Sequence, residues 1–181
     1  MSDALVIIPT YNEKENIEKM LRLVLSFDEG FHILIVDDGS PDGTAEIVKE
    51  LQKQHSEALH LEERKGKLGL GTAYIHGFKW ALEREYAYVF EMDCDFSHDP
   101  QDLKRLYKEC KEGGADVAIG SRYINGVNVV NWPMGRVLMS YFASVYVRMI
   151  TGMDVRDATA GFKCYRRAVL ESMKFEKIKF K

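Results

Sequence analysis

Five short apolar runs, at residues 5–8, 33–36, 59–61, 86–90 and 117–119, alternate with helical patterns along the chain. They are rich in Val, Ile, Leu, Phe and Tyr, the composition of strands buried on both faces. Between the first two, Ile17, Met20, Leu21, Val24 and Leu25 recur at the spacing of an amphipathic helix. Ile47, Val48 and Leu51 mark a second helix starting near Thr44, and Ala73, Tyr74, Phe78, Ala81 and Leu82 a third. Leu103, Leu106, Tyr107 and Cys110 mark a fourth, opened by Asp99 as N-cap with Pro100 at the first helical position. This rhythm predicts an α/β fold, a mostly parallel sheet with helices on both faces.

After Ser121 the rhythm changes. Residues 125–133 read as a loop, residues 134–150 as a helix, and residues 152–161 as a turn region. The last apolar residues, Val169, Leu170, Met173 and Phe175, lead to a basic end at Lys177, Lys179 and Lys181 with no closing element after it. The expectation is one domain, residues 1–181, that stops before its fold is complete.

Charge and cysteine usage narrow the function classes. A net charge of -3 gives no electrostatic case for a nucleic-acid partner. The 3 cysteines, Cys94, Cys110 and Cys164, are widely spaced and odd in number, which argues against a disulfide framework and for a reducing, cytoplasmic setting. Residues 134–150 are the most apolar long stretch, but they carry Arg136 and Arg148 and fall short of the roughly 20 residues of a membrane span.

Polar, turn-forming residues follow every predicted strand except the third. They are Pro9-Thr10-Tyr11-Asn12-Glu13, Asp37-Asp38-Gly39-Ser40-Pro41-Asp42-Gly43, Asp93-Cys94-Asp95 and Gly120-Ser121-Arg122-Tyr123. In an open parallel sheet the ligand crevice lies outside the carboxyl ends of the strands, so all four should open onto one side. Asp93 and Asp95 at i and i+2 on extended chain point one way, and such a pair suits a hard divalent cation. Turn chemistry alone would account for the Asp-Gly-Ser-Pro-Asp-Gly run, but not for two adjacent acids directly after the apolar Val36. Asp38 could accept hydrogen bonds from nucleobase N–H groups or ribose hydroxyls. Cys94 reads as a small core-facing residue, and Arg122 and Arg136 as forks able to hold a phosphate. The first of these turns has no glycine to admit a dinucleotide pyrophosphate, which disfavours a Rossmann dehydrogenase.

The first three of these four motifs, in this order, resemble the family 2 inverting glycosyltransferases. Leu68-Gly69-Leu70-Gly71-Thr72-Ala73-Tyr74, Asp95-Phe96-Ser97-His98-Asp99-Pro100, Gly120-Ser121-Arg122-Tyr123, Asn131-Trp132-Pro133 with Arg136 and Ser140, and Ala160-Gly161-Phe162 narrow the resemblance to the branch acting on polyprenyl phosphates. The resemblance implies a Rossmann-like GT-A nucleotide-sugar transferase fold. It also implies transfer of mannose from GDP-mannose to a polyprenyl (dolichyl) phosphate with inversion, using Mg²⁺ or Mn²⁺.

Carried over residue by residue, the resemblance implies that Pro9, Tyr11, Glu13, Val36 and Asp38 hold the nucleoside. Asp93 and Asp95 hold the metal, with Ser97 standing where some relatives carry a Gln that completes the site. Cys94, Arg122 and Lys181 join the donor site, and Arg122, Arg136 and Ser140 grip the acceptor phosphate. Asp95, Arg122 and Arg136 are the residues expected to carry the reaction. An acceptor phosphate is already anionic, which fits the lack of a clear general base. Two alternatives stay open: a transferase of the same fold using another sugar nucleotide, such as UDP-glucose, or another acceptor, and a sugar-nucleotide-binding fragment without turnover. Tyr141, Phe142, Val145, Tyr146 and Met149, on the helix bearing Arg136 and Arg148, add the expectation of peripheral contact with the cytoplasmic membrane face, against packing on the core.

Overall fold

The computed structural model describes residues 2–122, 134–153 and 155–178, and of Arg136 the backbone alone. A six-stranded sheet runs through the middle, from β1 (Ala4–Thr10), β2 (His32–Asp37), β3 (Leu59–Glu63), β4 (Tyr88–Glu91), β5 (Val117–Ile119) and β6 (Lys163–Arg166), in the order β3-β2-β1-β4-β6-β5. The first four strands pair in parallel, while β6 lies antiparallel between β4 and β5.

The central strands are buried on both sides, as their unbroken apolar composition requires. Ala4, Val6 and Ile8 of β1 with Ile33 and Ile35 of β2 face one core. There they meet Ile17, Met20, Leu21 and Val24 of α1 (Ile17–Leu25), Val48 and Leu51 of α2 (Thr44–Gln52), and Leu103 and Leu106 of α4 (Asp102–Lys111). The alternate residues, Leu5, Ile7, Leu34 and Val36, face the other core and meet Ala73, Phe78 and Ala81 of α3 (Leu70–Leu82) with Leu170 of α6 (Arg167–Ser172). Gly77 of α3 lets that helix close on β1: a Cβ there would stand 2.7 Å from Ile7 Cγ2. The last long helix, α5 (Met134–Thr151), leaves Met139, Phe142, Tyr146 and Met149 more than half exposed.

Two departures from the sequence reading have physical causes. β6 falls where the chain after the turn region carried no strand signal. Its first residue, Lys163, looks unlike a core strand but pairs with Glu91 directly across the ladder at 2.9 Å, so two charges cancel inside the sheet. The regular part of α4 starts at Asp102, not at Pro100. Asp99 still caps the preceding turn, its Oδ1 accepting the Gln101 N–H at 2.9 Å.

Candidate active site

The carboxyl ends of β1, β2 and β4 bring Pro9, Tyr11, Glu13, Asp38, Asp93, Cys94 and Asp95 around one cavity of about 250 Å³. Lys67, Gly69, Leu70 and Ala73 of the loop and first turn of α3 complete its wall. The Lys67 ammonium sits 4.6 Å over the Tyr11 ring, a cation–π contact at the mouth.

Asp38 is buried and already engaged. Its Oδ1 accepts from Arg64 Nε at 2.7 Å, and its Oδ2 accepts the Leu68 N–H at 3.0 Å. Arg64 is held in turn by Thr72 Oγ1 at 2.9 Å. A carboxylate has about four acceptor positions, so this arrangement fixes the Asp38 plane while leaving capacity for a further donor. It also engages the Leu68 amide, at the start of the Gly-rich stretch before α3. The adjacent Asp37 is used structurally, accepting from Thr10 Oγ1 at 2.9 Å and from the Ser40 N–H at 2.8 Å. Glu13 accepts from Asn16 Nδ2 at 3.0 Å.

Asp93 and Asp95 differ in setting. Asp93 is half-buried; burial pushes its carboxyl above the usual range, with the neighbouring Asp95 charge adding and the Tyr74 hydrogen bond opposing. The Tyr74 hydroxyl donates to Asp93 Oδ1 at 3.0 Å, and Gly161 leaves room beside the other oxygen, where a Cβ would stand 3.0 Å from Oδ2. Asp95 is exposed, and its Oδ1 accepts the Ser97 N–H at 2.9 Å as well as the Ser97 hydroxyl. The turn from Asp95 to Ser97 puts Phe96 at φ +56, a backbone region that bulky side chains seldom adopt. Such local strain is held where a loop must aim particular side chains. Cys94 between the acids is buried in the core. Burial, then the charges of Glu13, Asp95 and Asp93, push its thiol far up, so it is no nucleophile.

The donor set suits a hard divalent ion. Among the described residues no third His, Cys, Asp or Glu joins the two acids. Mg²⁺-type sites in nucleotide enzymes commonly use one or two carboxylates and take their remaining oxygens from substrate phosphates and water, which two aspartates facing an open cavity match.

A neighbouring cavity of about 640 Å³ is lined by Ser97, His98, Gly120, Ser121 and Arg122, together with α4. Arg122 is no ordinary surface cation: it is 7% exposed and forms a two-pronged ion pair with the fully buried Asp157. Nε donates to Oδ2 and Nη2 to Oδ1, each at 2.8 Å. Nη2 also lies 2.7 Å from Thr159 Oγ1 and 3.3 Å from Ser140 Oγ, which joins α5 to the end of β5. His98 packs against the Phe162 ring, and burial followed by the Arg122 charge lowers its pKa, with the acids at 93, 157 and 95 opposing. It is therefore neutral near pH 7.

Of the remaining sequence candidates, Val36 is fully buried in the core behind the cavity, and the Arg136 side chain and Lys181 lie outside the described residues. Arg64, Tyr74, Asp157 and Thr159 went unremarked as site residues in the sequence. Tyr74 and Asp157 stand within or beside motifs that were read, but only the folded chain reveals which acid or base each one meets.

A doubly wound sheet with paired acids at its carboxyl ends defines the class, and comparison with known sequences fixes it. The chain belongs to glycosyl transferase family 2, whose model matches residues 5–174. It is 47% identical over 169 residues to the polyprenol monophosphomannose synthase of Mycolicibacterium smegmatis, covering 93% of this chain and 63% of that protein. It is 40% identical over 177 residues to the undecaprenyl-phosphate mannosyltransferase of Micrococcus luteus, covering 98% of this chain and 72% of that one. The chain thus spans 63% and 72% of the length of these relatives.

Solved structures agree in fold. The mannosyltransferase PcManGT from Pyrobaculum calidifontis, in complex with GDP-Man and Mn²⁺, superposes with a TM-score of 0.63 at 18% identity, covering 93% of this chain and 46% of that one. Glucosyl-3-phosphoglycerate synthase from Mycobacterium tuberculosis, in complex with Mn²⁺, UDP-glucose and phosphoglyceric acid, gives 0.65 at 20% identity, covering 94% and 58%. The Rossmann-like GT-A arrangement expected from the sequence is the observed one.

Proposed function

We propose that this chain is the catalytic domain of an inverting mannosyltransferase that moves mannose from GDP-mannose to a polyprenyl (dolichyl) phosphate. The observation that carries the reading is the pairing of two sites at one end of the sheet. An acidic cavity holds Asp38, Asp93 and Asp95, and beside it Arg122 and Ser140 meet at 3.3 Å. The names of the two relatives, both mannosyl-transferring enzymes with polyprenyl phosphate acceptors, support it.

In this reading Asp38, with Pro9, Tyr11 and Glu13 around it, takes the nucleoside, and the fully buried Val36 only backs that wall from the core. Asp93 and Asp95 would hold Mg²⁺ or Mn²⁺, and Ser97, whose hydroxyl donates to Asp95, keeps lone pairs that can face the same ion. When bound, the metal supplies Lewis-acid stabilisation of the negative charge on the donor diphosphate. Arg122, Arg136 and Ser140 orient the acceptor phosphate and offset its repulsion from the donor, so that positioning and electrostatics supply most of the acceleration. Lys181 adds a cation on the donor side. The acceptor oxygen is already ionised, so no side chain has to remove a proton. One displacement inverts the α linkage of the donor to a β-mannosyl phosphate.

The enzyme meets a lipid-linked acceptor in this reading, and the exposed Phe142, Tyr146 and Met149 of α5 are the side chains suited to rest at a membrane surface. Among the described residues no helix is long and apolar enough to cross a membrane. Radiolabelled GDP-mannose with a short polyprenyl phosphate tests the proposal, with Asp95→Ala and Arg136→Ala as controls. Labelled lipid that vanishes in both variants supports it. An active enzyme indifferent to both substitutions overturns the role assignments, and transfer from UDP-glucose alone overturns the donor.

A further inference from the structure

A fully buried aspartate is costly unless it is paired and its oxygens are satisfied. Asp157 meets both conditions through one residue. Its Oδ2 accepts the Arg122 backbone N–H at 3.1 Å and Nε at 2.8 Å, while its Oδ1 accepts Nη2 at 2.8 Å. Thr159 Oγ1 donates to the same Oδ1 at 3.2 Å and stands 2.9 Å from Ser140 Oγ. Ser144 of α5 accepts the Ala158 N–H at 3.3 Å. Gly120 lets this end of β5 close on β6: its N–H donates to Phe162 O at 2.9 Å, and a Cβ there would stand 2.6 Å from Phe162 Cδ1.

The end of β5, the loop before β6 and the face of α5 are thereby locked to one guanidinium. A free arginine side chain samples many rotamers. Here folding has already removed that freedom, so an oxyanion that meets Arg122 meets a plane of fixed direction. The carboxylate also offsets the Arg122 charge, so the pair supplies orientation more than raw attraction.

We infer that Asp157 is a positioning residue for the acceptor phosphate, acting through Arg122, with Thr159 as its auxiliary. The inference rests on the reading of Arg122 as an acceptor-phosphate residue. Asp157→Asn keeps the shape but turns an amide N–H toward Arg122 donors, breaking one prong of the fork while leaving the cation. The acceptor phosphate is then attracted at least as strongly as before but held in unproductive orientations.

The test is steady-state transfer to a short polyprenyl phosphate, with kcat normalised to the number of GDP-mannose-binding molecules counted by calorimetry. For Asp157→Asn we expect kcat to fall by about tenfold or more, with the acceptor KM not increased and the donor Kd within about twofold of the parent. Thr159→Val, a milder change that keeps the ion pair, should lower kcat by about threefold in the same pattern and decides the matter where Asp157→Asn does not fold. A purely structural role would lower the melting temperature and the count of binding molecules but leave the normalised kcat unchanged, which overturns the inference. If the parent protein transfers mannose and both variants match it, only the role of Asp157 falls. If the parent transfers nothing to a polyprenyl phosphate, the proposed function falls, and this inference with it.

Discussion

Replacing Tyr74 by Phe deletes one oxygen, the hydroxyl that donates to Asp93 Oδ1 at 3.0 Å. Tyr74 is 7% exposed, and its ring stacks on Phe78 with centroids 6.4 Å apart, so the substitution leaves the apolar packing in place. Burial and then the Asp93 charge push the hydroxyl's own pKa well above 10.0, so it remains a donor at every accessible pH. A hydrogen bond to a charged group is worth about 1.5–3 kcal/mol. Its loss raises the Asp93 carboxyl further, because burial and Asp95 both act in that direction and Tyr74 is the main opposing influence. A proton then competes better with a cation, and the carboxylate loses the contact that sets its orientation. Groups that orient a metal's ligands typically contribute about 10–100-fold to metal affinity, the same size as the hydrogen bond. Mn²⁺ titration followed by electron paramagnetic resonance should therefore show Tyr74→Phe binding about 10–100-fold more weakly than the parent. Raising the pH, which deprotonates Asp93, cannot rescue the variant fully, since the orientation stays lost. A folded variant whose Mn²⁺ affinity lies within about twofold of the parent would refute the reasoning.

Other consequences follow from single contacts. Gly120→Ala would force a Cβ to 2.6 Å from Phe162 Cδ1, an overpacking that costs about 1–3 kcal/mol and is read from the shift in a urea midpoint; an unchanged midpoint would contradict the close approach of β5 and β6. His32 and His60 have pKa values lowered below 6.5, by burial above all, with the His32 and Arg84 charges adding at His60. The native state thus binds fewer protons than the unfolded chain, so this stability is full above pH 6.5 and is lost as pH falls below it. A His32→Asn/His60→Gln variant should unfold with a flatter acid slope, and one that kept the parent's slope would rule the histidines out. Phe142→Ser/Tyr146→Ser removes two exposed aromatic rings from α5. Co-sedimentation with anionic liposomes should drop severalfold, and equal recovery of parent and variant would count against a lipid-facing helix.

Much of this molecule was legible in short, local runs of sequence. The unbroken apolar strands dictated a sheet buried on both faces, and the acids directly after them marked the end where a ligand would sit. Asp93, Asp95 and Asp38 could be picked out because strand ends and side-chain alternation fix their direction without knowledge of the partners. Their partners were not legible. Arg64 lies 26 residues from Asp38, and Asp157 lies 35 residues from Arg122, so no local spacing couples them. β6 escaped because a lysine–glutamate pair across the ladder replaces the apolar signal that identifies the other central strands. Asp157 was absorbed into a turn, since a buried ion pair and a solvated loop acid look the same until the cation's position is known.

In the proposed reaction the acceptor phosphate attacks a donor whose diphosphate lies on the Asp93/Asp95 side while Arg122 holds the incoming group. Two phosphates on opposite sides of the sugar mean attack opposite the leaving group. The anomeric configuration of the mannosyl phosphate product, read by proton NMR from a preparative reaction with GDP-mannose, tests that arrangement directly. The β anomer alone is expected. An α-mannosyl phosphate product would contradict it, because retention requires two displacements or attack from the side the diphosphate leaves.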